Sequence, residues 1–222
     1  MEDEKYLRYD LHCHTLYSKC SFQRIRDILK FAKWRGLSGI AITDHNEIRA
    51  AFEAKRIAKR MFPKGRFEVV IGEEILTDKG EVLAYYLTER IRPGRFEEVI
   101  DEIRKQGAIC SIAHPFTRFR KNFTGSLRSA SKLVDALETF NSRNIVPGAN
   151  SKAESAAGRY GLGITGGSDA HFPFEVGSGY TRFPESLPLE KAIRLRKTSA
   201  SGTVMLAPFG IMASWLSINA RK

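Results

Sequence analysis

Between Tyr9 and about Gly167 the chain alternates short, β-rich apolar runs with amphipathic stretches, and that alternation leaves few architectures open. Strands joined through intervening helices form βα units around a mainly parallel sheet. The runs predict about seven strands: Tyr9–His12, Gly39–Thr43, Phe67–Ile71, Val82–Leu87, Ala108–Ala113, Ala136–Phe140 and Leu162–Thr165. Ser21 is expected to cap a helix whose Ile25, Ile28, Leu29 and Ala32 recur at helical spacing before Gly36 closes it. Phe96, Val99, Ile100 and Ile103 repeat the pattern up to Gly107.

With 222 residues, 42% of them hydrophobic, the chain can bury one sizeable core, and it is expected to form a single domain over 1–222. Disorder, collagen and coiled coil are excluded by the same figures. Cys13, Cys20 and Cys110 are too few and too scattered for a disulfide framework, and MEDEKYLRYD has no basic-then-apolar leader, so a cytoplasmic protein with reduced thiols is expected. Thirty-six Lys and Arg against 25 Asp and Glu give a net charge of +11, which favours anionic partners: a phosphorylated small molecule first, nucleic acid as an open possibility.

Beyond about Pro173 the pattern is less regular. A short helix is expected from Leu189 to Lys197, followed by no charged residue until Arg221. The stretch 198–220 has the length of a membrane span. Its many Ser and Thr residues, with Pro208 and Gly210 near its centre, make it instead a segment that packs against the domain or a partner.

All five histidines fall at or just beyond the end of an expected strand. His12 and His14 form His-Cys-His, and in an extended chain the period of two turns both imidazoles to one side, as two ligands of one ion require. His45 follows Asp44, His114 precedes Pro115, and Asp169 and His171 close Gly-Gly-Ser-Asp-Ala-His. A single histidine is usually a hydrogen-bonded or exposed side chain. Five at strand ends that converge on one face of an α/β barrel predict a metal site. Imidazole and carboxylate donors suit Zn, Mn or Fe. Glu73 and Glu74, in Ile-Gly-Glu-Glu-Ile, supply a carboxylate to bridge ions; Glu81 and Glu138 also flank strands, where a glutamate is more often a solvated charge.

In order, HCH, ITDH, GEE, AHP and GGSDAH, with DALETFNSR and a helix over 150–161 between the last two, resemble the PHP (polymerase and histidinol phosphatase) family over about residues 9–182. The resemblance implies a distorted (β/α)7, TIM-like barrel with two to three divalent metals at the strand C-terminal face. It implies that His12, His14, Glu74 and Asp169 hold one ion, that Glu74 bridges to a second held also by His114, and that His45 and His171 hold a third. Glu74 rather than Glu73 matches the family's Gly-x-Glu. Asp44 matches its Asp-His pair and would orient a ligand or bind directly. The chain departs from the pattern twice: only Cys20 can ligate where Asp or His is usual, and Glu81 stands in place of a second-site histidine.

The activity implied is phosphoester hydrolysis with metal-activated water, on a small phosphomonoester or nucleotide. Asp169, His171 and Asp44 are the candidate catalytic groups. Arg118 and Arg120, in the loop after His114, and Arg143 are candidates to grip phosphate bidentately. Three alternatives stay open: a nuclease acting on nucleic-acid ends, a non-catalytic metal-stabilised module in an assembly, and a metal-dependent amidohydrolase.

Overall fold

A computed structural model describes residues 5–63, 67–117 and 121–205. Nine strands form one sheet: β1 (Tyr6–Asp10), β2 (Gly39–Ile42), β3 (Glu68–Thr77), β4 (Gly80–Tyr85), β5 (Ile109–Ile112), β6 (Ala136–Asn141), β7 (Gly163–Gly167), β8 (Gly179–Pro184) and β9 (Ser199–Gly202). Their order across the sheet is β7-β6-β5-β4-β3-β2-β1-β8-β9. The sheet curls until its ends nearly meet. Leu11 donates to the carbonyl of Gly166 across the seam (3.4 Å), and the Gly166 N–H donates to Thr181 Oγ1 of β8 (2.8 Å). The result is a distorted, nearly closed TIM-like barrel.

Both faces of the sheet are buried, and the pleat sorts the side chains. Ile40, Ile42, Val69, Ile71, Val82 and Ala84 join the outer core, whereas the intervening Ala41, Val70, Leu83 and Tyr85 join a second cluster with Tyr9, Leu11 and Phe183. Helix α6 (Leu189–Arg194) adds Leu189, Ala192 and Ile193 to that second cluster. Outside, α1 (Ile25–Trp34), α2 (Arg49–Met61), α3 (Phe96–Lys105) and α5 (Ala149–Tyr160) present narrow apolar stripes to the sheet; α4 (Leu127–Ala130) is a single turn. The stripes of α2 and α5 are alanines: Ala50, Ala51, Ala54 and Ala58 in one, Ala149, Ala153 and Ala157 in the other. Their small side chains let those helices lie close to the strands.

All seven expected strands are present with shifted ends, and three features differ from expectation. The sheet is less parallel than expected: β4 runs antiparallel to both β3 and β5, and β8 and β9 are antiparallel too. Second, β8 and β9 join the seven. Gly-Tyr-Thr-Arg-Phe-Pro alternates weakly, and Ser-Ala-Ser-Gly has no apolar signal at all. Third, Ser21 does not cap α1. The N-cap is Arg24, without a side-chain bond, while Ser21 Oγ lies 3.2 Å from the carbonyls of both His14 and His171. Gly36 and Gly107 do end α1 and α3, each at φ +70°, which costs a glycine little.

The start of the uncharged C-terminal stretch is β9. Thr203 and Met205 then donate to the carbonyls of Ser178 and Ser142, both at 2.7 Å, and residues 206–222 lie outside the described residues. Among the described residues no helix is long and apolar enough to cross a membrane.

Candidate metal centre

Glu74 is the hub of the histidine cluster. It sits in β3, 1% exposed, with Oε1 3.4 Å from His12 Nε2 and 3.2 Å from His114 Nε2. Its Oε2 lies 3.3 Å from His14 Nε2 and 2.9 Å from His45 Nδ1. One carboxylate therefore faces four imidazoles drawn from the ends of β1, β2 and β5. Glu81 flanks it, with Oε1 3.7 Å from His45 Nδ1 and Oε2 3.6 Å from His114 Nε2. From the end of β7, Asp169 Oδ1 lies 3.4 Å from His14 Nε2 and 3.8 Å from His12 Nε2.

The ring nitrogens that face away from the centre show which tautomer each histidine holds. His12 Nδ1 is 2.8 Å from Glu138 Oε1, and a carboxylate only accepts, so Nδ1 carries a proton and Nε2 is the nitrogen turned inward. His171 Nδ1 is 2.8 Å from the backbone carbonyl of Asp169, which fixes the same tautomer. Its Nε2 then faces Cys20 Sγ at 3.1 Å. For His14 the argument runs through Ser18, whose Oγ donates to Asp44 Oδ1 (2.5 Å) and so is left to accept from His14 Nδ1 (3.3 Å).

Asp44, expected among the catalytic groups, is placed behind the cluster. Its Oδ1 accepts from Thr15 N–H and Ser18 Oγ, and its Oδ2 accepts from Thr15 Oγ1 at 2.7 Å. Fully buried and engaged on both oxygens, it anchors the loop that carries His14 and Cys20. Glu138, expected as a solvated charge, is 2% exposed: besides His12 it accepts from the His114 N–H (2.8 Å) and from Asn141 Nδ2 (3.1 Å). Asn141 also donates to Asp169 Oδ2 (3.1 Å). Neither role is visible from local sequence, because each joins groups more than 20 residues apart. The one local hint is that Glu138 and Asn141 lie three residues apart around a bulge between Glu138 and Phe140.

The backbone is drawn unusually close here. A Cβ on Gly167 would lie 2.5 Å from both N and Cβ of His12, so only glycine lets β7 pass His12. Asp169 and His114 adopt positive φ, 56° and 25°, conformations that non-glycine residues hold only when the surroundings impose them. Asp10 contributes to that constraint by accepting from the N–H groups of Ser168, Gly177 and His12.

The buried carboxylates and imidazoles shift one another in opposite directions. Burial alone would keep His12 neutral, but the facing Glu138 and Glu74 outweigh it and push its pKa up to about 10. His14, buried and next to His45 and His171, is driven well below the usual imidazole range. Burial would raise Glu74, yet the surrounding imidazoles hold it well below the carboxylate range. Glu81 is raised by burial and then by the Glu74 charge, with His114, His45 and Lys121 opposing. Lys121, not singled out from sequence, thus brings a cation to the edge of the site.

The donor set fits divalent ions. His12, His14 and Glu74 form one group of three whose ligand atoms all lie within 4.8 Å of one another; His45, Glu74 and Glu81 form a second, and His14, His45 and His171 a third. Glu74 Oε2 is buried between the His14 and His45 ring nitrogens, and a carboxylate oxygen has a second lone pair for a further partner. Cys20 and Asp169 border these groups. Arg143, half-buried, follows β6 at the rim, its N–H donating to Asn141 Oδ1 at 2.9 Å. Arg118 and Arg120 lie outside the described residues.

A nearly closed α/β barrel carries a histidine–carboxylate cluster, a candidate metal centre, where the C-terminal ends of β1, β2, β5 and β7 converge. The chain belongs to the PHP family. Residues 10–119 match the model of the PHP domain and residues 147–198 that of the PHP-associated region. An uncharacterized protein of Methanocaldococcus jannaschii is 36% identical over 194 residues, covering 83% of this chain and 73% of that one. Among solved structures, the fold is similar to a two-domain Bacteroides vulgatus protein containing a predicted PHP-like metal-dependent phosphoesterase, at a TM-score of 0.73 and 17% identity over 98% of this chain and 71% of that one. A lesion-specific endonuclease from Pyrococcus furiosus aligns at a TM-score of 0.59 and 18% identity, over 88% of this chain and 58% of that one.

Proposed function

We propose that the protein is a divalent-metal-dependent phosphoesterase that hydrolyses a small phosphomonoester or a nucleotide in the cytoplasm. The observation that carries this reading is the buried Glu74 carboxylate facing four imidazoles, with Asp169 and Glu81 beside it. His12, His14, Glu74 and Asp169 are assigned to one ion, Glu74, His114 and Glu81 to a second, and His45, His171 and Cys20 to a third. Two to three ions of the Mn, Zn or Fe class suit these donors. Such ions, when bound, supply Lewis-acid charge and activate water.

The chain's own residues set the stage for that chemistry. Glu138, Ser18 and the Asp169 carbonyl fix the tautomers of His12, His14 and His171, so that each presents Nε2. Asp169 and His171 stand at the rim as the groups to pass a proton to the leaving oxygen. Arg143 and Lys121 bring positive charge to the side from which a phosphate enters, and Arg118 and Arg120 remain candidates from sequence to grip it.

The test is phosphate release from phosphomonoesters, nucleoside bisphosphates and short oligonucleotides by metal-stripped protein, with and without added Mn. Turnover that requires the metal and is lost in a still-folded His12→Ala supports the reading. If metals bind and no substrate in the panel is cleaved, the reading fails in favour of a non-catalytic module.

A further inference from the structure

Leading away from the cluster is a run of exposed rings that the metal site does not use. Phe172 follows His171, and the Phe22 N–H donates to the His171 carbonyl at 3.1 Å. The Phe22 and Phe172 rings stack at 5.6 Å between centroids and 30° between planes. Phe172 stacks in turn on Phe174 at 5.6 Å and 20°. Arg35 Nη2 then donates to the Phe174 carbonyl at 3.1 Å, and the same guanidinium lies over the Trp34 ring, 5.4 Å from its centroid. Phe22 is 40% exposed, Phe174 46% and Trp34 75%.

Single exposed apolar residues are ordinary in soluble proteins, whereas three rings stacked in sequence beside a candidate metal centre, joined through Arg35 to a fourth, are not. Arg35 pins the 3-10 turn Pro173–Glu175 to the end of α1, so the rings form a fixed platform. Beside Phe22, Arg24, Arg26 and Lys30 line a groove of about 460 Å³ that also holds Asp27 and Glu53. Flat apolar faces interleaved with guanidinium groups, on a chain of net charge +11, match the two halves of a nucleotide chain: bases that stack and phosphates that pair.

We infer that Phe22, Phe172, Phe174, Arg35 and Trp34 form a track on which successive bases of a single-stranded oligonucleotide stack while one of its phosphates reaches the histidine cluster. This assignment rests on the phosphoesterase reading and extends its substrate class from a single nucleotide to a single-stranded chain of nucleotides. A flat ring face accepts any base, so the track selects for unpaired bases and not for sequence.

The test compares binding of two 12-mers, both made entirely of phosphorothioate linkages to resist hydrolysis. One is oligothymidylate and the other is abasic, with the same backbone charge. Full-length protein is expected to hold oligothymidylate at least about tenfold more tightly, by fluorescence anisotropy. Phe174→Ala and Trp34→Ala should each weaken that binding about fivefold or more and leave the abasic strand unaffected. Both side chains are exposed, and circular dichroism checks that the variants fold. Equal binding of the two strands, or loss of neither preference nor affinity in the variants, overturns the track. So does a change in oligomeric state by light scattering with oligothymidylate binding unaltered, which would make the patch a protein interface. Metal-dependent cleavage of unmodified oligothymidylate and phosphate release from a small phosphomonoester, both measured in parallel, separate the two failures. Base-dependent binding without turnover sinks only the phosphoesterase, and turnover without base preference sinks only the track.

Discussion

Glu138 Oε1 and His12 Nδ1 lie 2.8 Å apart, fully buried, across 126 residues of sequence. The carboxylate's other oxygen accepts from the His114 N–H, so one side chain orients groups from two strands around the cluster. In Glu138→Gln the amide nitrogen must face one of those two N–H donors, which turns an attraction into a donor–donor clash. Metal affinity is expected to fall about 10- to 100-fold with the fold retained. Competition against a chromophoric chelator reads the affinity, and unchanged affinity would deny Glu138 its orienting role.

Cys20 tests the composition of the third group. A thiolate beside His45 and His171 gives protein loaded with Co(II) a sulfur-to-metal charge-transfer band in the near ultraviolet, and Cys20→Ser should remove the band while other cobalt remains bound. A wild-type protein that binds cobalt at the cluster without such a band has no thiolate ligand.

Glu73 carries a pH dependence separate from turnover. It is buried, its Oε2 accepting from the Ile91 N–H at 3.0 Å and its Oε1 making no hydrogen bond among the described residues, with Arg90 Nε 3.9 Å away. Burial pushes its pKa up from 4.5 to about 7. The folded state therefore holds a proton that the unfolded state has released, and between these pH values stability falls as pH rises. Glu73→Gln mimics the protonated acid. Relative to it, the wild type should lose a few degrees of melting temperature between about pH 4.5 and pH 7. A constant difference across that window would refute the assignment.

Gly167→Ala tests the close approach of β7 to β1. Its Cβ would overlap His12 backbone and Cβ, atoms that cannot swing aside, so the seam must open or His12 must move. A cost of about 1–3 kcal/mol or more is expected, with loss of metal binding exceeding the loss of stability. Calorimetry with and without metal distinguishes this from simple destabilisation.

Much of the site was legible because its motifs are local. His-x-His, Asp-His and Asp-Ala-His each fall where a strand ends, and a strand end in a barrel has a known address. Glu138 and Asn141 were not legible: nothing within their own strand distinguishes a carboxylate facing His12 from one facing water. Asp44, expected to orient a ligand or bind directly, has both its oxygens occupied by Thr15 and Ser18, from another loop, and Ser18 in turn meets His14. For the fold, apolar periodicity located the seven strands but has no sign, so the reversal of β4 could not be seen. The pairing that makes β9 a strand lies in β8, not in its own four residues.

That reversal has a consequence for how such a centre changes over time. Because β4 runs backwards, Glu81 stands at its beginning and reaches the cluster from the tight Asp78–Lys79 turn of the β3–β4 hairpin. His12, His14, His45 and His114 sit where strands lead toward helices, and altering those junctions disturbs the helix that follows. The tip of the hairpin joins strand to strand, with no helix at that junction. Glu81 can therefore be exchanged without moving a strand–helix junction, so ligand hardness, and with it the choice of ion, is the property of this barrel most open to evolutionary drift.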